Sequence, residues 1–510
     1  MSVPPTERVP HFPLLLLLST LALLPLLLAD IPPLVDYLNH IARDYILAHY
    51  RESEILPKYY RPDWAFLPNL AMDLVIVPMA ELIPIDLAGK LFLAATLLLN
   101  VAGVFLLSRT LHGRIELPAY LVFFFLYHRL LLWGYLNFSF GLGLALLGFA
   151  LWLRLRARPV TLRLAVFGAL ATVLLLCHLF AFAVYVLFVG GYQLGATFSE
   201  WRHGAFWRDR REWLLIIGQV AIPLLLFLTL SPTTDNAGAI RYGTFLQKLT
   251  SAFHVVNNYS RPLDYATFFA LLGLIALGWW KRWLELARPV LWPLALGALV
   301  QLAMPETLFG SQTADSRLPI ALWMLLAAGL KLKAAPRPLA RPLLLGLLTL
   351  ALARLLVVGV EWRRANSTYR EYLSAFDKIT PGARMLSVIP LPRHPSFHHP
   401  PVNFIGCQAI IRKSVFDPFL FADHGHQPIR FTEPYLELAK VTPGPVIYYD
   451  QSALTKGRKL KPEENPFRPE ILHNYDYLLV LDEPLLPDFQ HQGVRPIHTG
   501  NRFVLYQIEH

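Results

Sequence analysis

Two cysteines in 510 residues, Cys177 and Cys407, are too few and too far apart for a disulfide framework or a thiolate metal site. Charge is scarce too. Asp, Glu, Lys and Arg make up 16% of the chain against 55% apolar residues, and the mean hydropathy is +0.44. A soluble protein of this size does not carry so much apolar surface. Runs of spanning length recur along the chain, which makes the bilayer its solvent. The formal charge of +11 forms no continuous basic stripe, so nucleic acid is not an expected partner. Lys and Arg fall in short clusters between apolar runs, where they act as topology signals. Neither an internal repeat nor a low-complexity segment is visible. The first apolar run lacks a small-x-small cleavage site and reads as a retained anchor rather than a signal peptide.

What is present is a series of candidate spans: 12–29, 88–108, 117–133, 138–154, 162–178, 179–196, 213–231, 264–280, 289–304, 318–333 and 342–360. The stretch 67–85 is apolar but holds Asp73, Glu81 and three prolines. It is expected to lie on the membrane as an interfacial helix. With that assignment the clusters 109–114, 154–158, 202–211, 281–282 and 331–341 share one side. The positive-inside rule then sets the N-terminus in the cytoplasm and the loops 232–263 and 305–316 outside. After Val360 the chain turns polar and proline-rich, with strand-like runs at 384–389, 445–449, 475–481 and 502–507 and helix-like segments at 366–378 and 432–440. The expected fold class is a polytopic α-helical membrane protein of about 11 spans with a C-terminal extracytoplasmic α/β domain. The expected domains are 1–360, including a first outer loop over 30–87, and 361–510, in a plasma or inner membrane.

That first loop holds the most informative residues. Asp30 and Asp36 lie just after the first span, and Asp36, His40 and Arg43/Asp44 recur at i, i+4 and i+7/i+8. One helical face would thus carry an acid, an imidazole and an ion pair. Ionisable groups this close to hydrocarbon are costly and are usually kept for function. The plainer alternative makes Asp36 a helix N-cap ahead of a solvated polar face.

The layout resembles the GT-C superfamily of glycosyltransferases, which includes the protein O-mannosyltransferases, the lipid A aminoarabinose transferases and the catalytic subunit of oligosaccharyltransferase. In that superfamily the first outer loop carries a catalytic acid, often as an Asp-Glu pair. Here the pair is absent: Asp30 and Asp36 are six residues apart and Tyr37 follows Asp36. The resemblance implies transfer of a sugar from a polyprenyl-phosphate donor to an extracytoplasmic glycan, lipid or protein acceptor. Asp36 or Asp30 would be the general base, with His40 as orienter or alternate base.

A leaving phosphate calls for a fixed cation at the bilayer edge. Arg317, beside Asp315 at the outer mouth of a span, suits that role, since a guanidinium grips two phosphate oxygens. The alternative is a snorkelling arginine paired with Asp315. Arg43, His178 and Arg241 are further candidate substrate ligands, with Arg261 and His128-Arg129 behind them. The histidines His394, His398, His399, His424 and His426 follow no metal signature. No cofactor is called for, although a divalent metal would be compatible. The rival readings are a lipid or polysaccharide transporter or flippase, and a non-catalytic scaffold of an envelope-glycan complex. The first is disfavoured by the lack of a repeat.

Overall fold

The computed structural model describes residues 11–201, 210–233, 240–308, 313–333, 337–390, 401–441, 447–449, 469–481 and 493–510. The chain forms two compact units. The first comprises Met1–Leu28, Phe66–Ala71 and Leu91–Val360, and the second Ala29–Ala65, Met72–Lys90 and Glu361–His510.

The first unit is helical because its apolar runs leave the backbone no partner but itself in hydrocarbon. Across the described residues, seven helices are long and apolar enough to cross a membrane: Ile85–His112, Leu136–Arg154, Val160–Cys177, Leu179–Ser199, Arg210–Leu230, Arg261–Trp280 and Pro342–Lys378. The 16-residue Arg288–Ala303 and the 13-residue Arg317–Gly329 are shorter. The expected span 117–133 is not one helix. It is a 3-10 turn over Leu117–Leu121 and two single turns, Val122–Phe125 and Arg129–Leu132. The break falls at His128, whose backbone is extended and whose Nδ1 accepts from the Leu131 amide at 3.1 Å. Uniform apolarity in the sequence conceals a break of this kind.

A second break, at His178, separates Val160–Cys177 from Leu179–Trp201. The segment 66–71 fills it. The Leu70 amide donates to Leu176 O at 2.8 Å, and the Leu179 amide donates to Pro68 O at 3.1 Å. Asn137 Nδ2 donates to Asn69 O at 2.7 Å. Backbone groups freed at two buried helix ends are satisfied in this way.

The second unit is α/β. Its five-stranded sheet runs Ile447–Tyr449, Met385–Pro390, Tyr477–Leu481, Phe503–Ile508, Val494–Thr499. The first three strands are parallel and the last two antiparallel. Every residue of the central Tyr477–Leu481 is buried, as an unbroken apolar strand requires. The first loop was expected to belong with the membrane helices, but apart from Phe66–Ala71 it clusters in this unit. Tyr60–Pro62 pairs antiparallel with Ile429–Phe431, and the helix Tyr37–His49 packs on Cys407–Lys413. Asn366 brackets the backbone of Ile31, accepting from its amide at 2.8 Å and donating to its carbonyl at 2.9 Å. The physical reason is that Asn39, Arg43 and Asp63 of the loop all have hydrogen-bond partners among residues 361–510. The helix Ala71–Ala80 has ten residues. At about 1.5 Å per residue it covers half the hydrocarbon thickness.

Candidate active site

Helix Tyr37–His49 is positioned by its buried face, which runs almost without interruption from Tyr37 to Ile46. Gly89 permits the close approach of Tyr37: a Cβ at that position would lie 2.2 Å from the Tyr37 hydroxyl. Asp36 directly precedes the helix. Its backbone is already helical and its side chain makes no capping bond, so the N-cap alternative does not hold. The Asp36 carboxyl is half-buried, and desolvation pushes its pKa up to about 7. A carboxylate tuned to neutral pH and free of a capping duty is suited to proton transfer.

The rest of that helical face turns inward. Arg43 is fully buried. Its Nε donates to Asp73 Oδ1 at 2.7 Å, and its Nη1 donates to His40 Nδ1 at 2.8 Å and to Gln427 Oε1 at 2.5 Å. The sequence suggested an Arg43–Asp44 pair open to substrate. The Arg43–Asp44 pair is present at 3.7 Å but fully buried, and Arg43 makes a shorter pair, at 2.7 Å, with Asp73 thirty positions away. Arg43 is thereby corrected from a substrate ligand to an internal hub.

His40 follows from this. Its Nδ1 must accept from the guanidinium, so the ring proton resides on Nε2. Burial, and then the Arg43 charge, hold its pKa well below the usual histidine range. Such a ring is neutral and has no free lone pair, which rules out His40 as alternate base and leaves it as an orienter of Arg43.

Asp44 is protonated for a related reason. Burial raises its pKa, the facing Asp73 carboxylate raises it further, and Arg43 opposes both. Neither Asp44 oxygen, nor Asp73 Oδ2, accepts a hydrogen bond from another group among the described residues. A proton shared between the two carboxyls satisfies them together. The cluster then holds one cation and one anion. Asp30 is different: its side chain is 75% exposed and 3.5 Å from Arg370 Nε.

In the first unit Arg317 opens the helix Arg317–Gly329. Before it lies a 3-10 turn over Ala314–Ser316 that starts from Thr313 at φ 55°. A β-branched residue in left-handed backbone costs of order 1–3 kcal/mol, and such strain concentrates at functional sites. Arg317 is 1% exposed. Its guanidinium carbon lies 4.8 Å from the Tyr135 ring centroid and 4.5 Å from that of Phe180, a two-sided cation–π arrangement.

Arg317 also lines a cavity of about 520 Å³ whose other walls are apolar, with Phe180, Leu187, Trp213, Leu296 and Met304 among them. Asp315, 4% exposed, accepts from Ser316 Oγ at 3.4 Å. His178 caps the following helix, its Nδ1 accepting from the Phe180 amide at 3.0 Å, and its ring meets Phe138 edge-on at 5.7 Å. Arg241 is exposed and pairs with Glu306 at 3.5 Å.

Sequence reasoning passed over Asp73 as a surface acid, and over His254, whose Nδ1 lies 3.0 Å from Ser316 Oγ. It also passed over the buried Arg354–Asp264 pair at 2.7 Å, although an arginine inside an apolar run was a readable signal. Among the described residues no three of His, Cys, Asp and Glu are arranged to hold a metal. His394, His398 and His399 lie outside the described residues, and His424 Nδ1 is 2.6 Å from Asp63 Oδ2.

No family model matches the chain, and no curated protein does. Solved structures do. ArnT from Cupriavidus metallidurans bound to undecaprenyl phosphate superposes with a TM-score of 0.51 at 13% identity, covering 98% of each chain. The same protein in its apo state gives 0.49 at 15% identity, again over 98% of each. At such identity a likeness carries the fold and no more: over 98% of its length this chain has the fold of ArnT.

Proposed function

We propose that this protein is a membrane glycosyltransferase of the plasma or inner membrane that moves a sugar from a polyprenyl-phosphate carrier to an extracytoplasmic acceptor. The observation that carries the reading is the cavity of the first unit. Apolar walls around a space of about 520 Å³ with Arg317 in the lining match an amphiphile with a long hydrocarbon tail and an anionic head. Binding of undecaprenyl phosphate by ArnT agrees with that chemistry.

In the reaction the acceptor oxygen bonds to the anomeric carbon as the bond from that carbon to the phosphate oxygen breaks. Asp36 takes the acceptor's proton, and its pKa of about 7 leaves a substantial fraction ionised at neutral pH. Arg317 holds the phosphate as its charge grows. Asp315 and Ser316 set the start of the helix that carries Arg317.

Binding of undecaprenyl phosphate to purified protein tests the reading. Arg317→Ala should weaken it by roughly one to two orders of magnitude, the value of a charge-assisted hydrogen bond, and Arg317→Lys by less. Unchanged affinity in both variants would remove Arg317 from the site and with it the basis of the proposal.

A further inference from the structure

The segment around His254 is fixed far more firmly than a connecting loop needs. Helix Phe245–Thr250 begins with a capping box, Thr244 Oγ1 accepting from the Gln247 amide while Gln247 Oε1 accepts from that of Thr244. The chain continues through a 3-10 turn over Ser251–Val255. Gln301 Nε2 donates both to Ser251 Oγ at 3.0 Å and to the Asp315 carbonyl at 2.8 Å, which ties the turn to the residues that precede Arg317. On the other flank, Arg354 donates to Asp264 Oδ1 at 2.7 Å and to the Val256 carbonyl. Asp264 Oδ2 accepts from the Asn258 amide at 2.8 Å. A buried ion pair within apolar helices carries a heavy desolvation cost and is weak as a stabilising device. What this pair does accomplish is placement: it holds 256–258, and so sets His254 Nδ1 at 3.0 Å from Ser316 Oγ, one residue before Arg317.

The hydrogen-bond order fixes what the imidazole can offer. The Ser316 hydroxyl donates to Asp315 Oδ1 at 3.4 Å, so its oxygen is left to accept from His254 Nδ1–H. Nε2 then carries the lone pair. Burial, and after it the positive charge of Arg129, lower the His254 pKa to about 4, so the ring stays neutral at physiological pH. His254 is partly exposed. A neutral acceptor nitrogen has nothing to give a phosphate, which offers only acceptors. It does pair with a hydroxyl.

We propose that His254 is a sugar-recognition residue: its Nε2 accepts a hydrogen bond from a hydroxyl of the sugar borne by the carrier phosphate that Arg317 holds. Ser316 and Asp315 are positioning residues that set its tautomer, and Asp264 and Arg354 position the turn. The inference rests on the glycosyltransferase reading above and adds to it the group that distinguishes a loaded carrier from a bare one.

The test compares affinities of the full-length protein for undecaprenyl phosphate and for a panel of undecaprenyl-phosphate-linked hexoses. Wild type should bind at least one loaded carrier about tenfold more tightly than the bare one, within the range of a single neutral hydrogen bond. His254→Ala should abolish that difference and leave bare-carrier affinity within about twofold of wild type, which also shows the variant to be folded. His254→Gln, which keeps an acceptor oxygen on a similar reach, should restore part of the preference. Equal loss for bare and loaded carriers, or an undiminished preference in His254→Ala, would overturn the proposal. So would a wild type that binds bare carrier but prefers no loaded one. A wild type that binds no carrier at all would instead refute the glycosyltransferase reading itself.

Discussion

Asp36→Asn should move activity and stability in opposite directions, and the size of each effect follows from the burial of one carboxyl. With a pKa of about 7, the ionised fraction rises from roughly one-eleventh at pH 6 to ten-elevenths at pH 8, so a base-dependent rate should rise about tenfold between them and then level off. His40, held neutral well below its usual range, adds no second limb in that window. Asn cannot accept the proton, and loss of a general base typically costs roughly 10²–10⁴ in rate.

Stability runs the other way. The folded carboxyl binds protons more tightly than the unfolded one, with a pKa near 7 against 3.8. The folded state is therefore penalised progressively as pH rises from about 4 to about 7. Three pH units correspond to a ceiling of about 4 kcal/mol, and partial exposure of the carboxyl reduces this to about 1–2 kcal/mol. The Asn variant escapes the penalty. Its melting temperature should exceed that of wild type by a few degrees at pH 8, by roughly half that margin at pH 5.5, and approach it only near pH 4. Turnover of a sugar-loaded polyprenyl phosphate from pH 5.5 to 8.5, with thermal unfolding at both ends, checks the two halves together. A flat wild-type profile, or an Asn variant that is less stable at pH 8, would refute the reasoning.

Arg43→Ala leaves Asp73 as a buried charge without its cation and strips His40 and Gln427 of their donor. It should destabilise by about 3–5 kcal/mol, seen as a lower melting temperature and poor recovery. Asp44→Asn, replacing a carboxyl that is already protonated, should cost less than about 1 kcal/mol in the same measurement. Asp30→Asn breaks only an exposed contact with Arg370, worth less than about 1 kcal/mol. Turnover should fall by no more than about threefold, less than its place just after the first span suggested.

The long apolar helices and four strands of the C-terminal sheet were legible because each rests on a local pattern, length of apolar run in one case and β-branched or aromatic clustering in the other. The broken stretch at Tyr127-His128 was not. A histidine that caps the next turn looks in sequence like a lone polar residue in an apolar run. The first-loop acids were found, but their roles were not separable. Arg43 lies closer to Asp73, at 2.7 Å, than to its neighbour Asp44, and nothing in a spacing of i, i+1 or i, i+30 reveals that. Asp36 stood out in the sequence beside Asp30 as a candidate acid, yet its freedom from capping depends on a backbone angle. Arg317 and its cavity divide the same way: the residue type was readable, while the walls come from helices more than a hundred residues apart.

The Arg354–Asp264 pair bears on how the chain is made as well as on what it does. During synthesis the segment around Arg354 enters the bilayer as a long apolar helix with a guanidinium inside it. Inserted alone, that charge would cost about 2.5–3.5 kcal/mol at mid-membrane. Its counter-ion is already in place, because the helix Arg261–Trp280 that carries Asp264 emerges about ninety residues earlier. The late helix is thus admitted in company with an early one, and a chain lacking the Asp264 carboxylate should be misinserted and degraded before the fold is ever assembled.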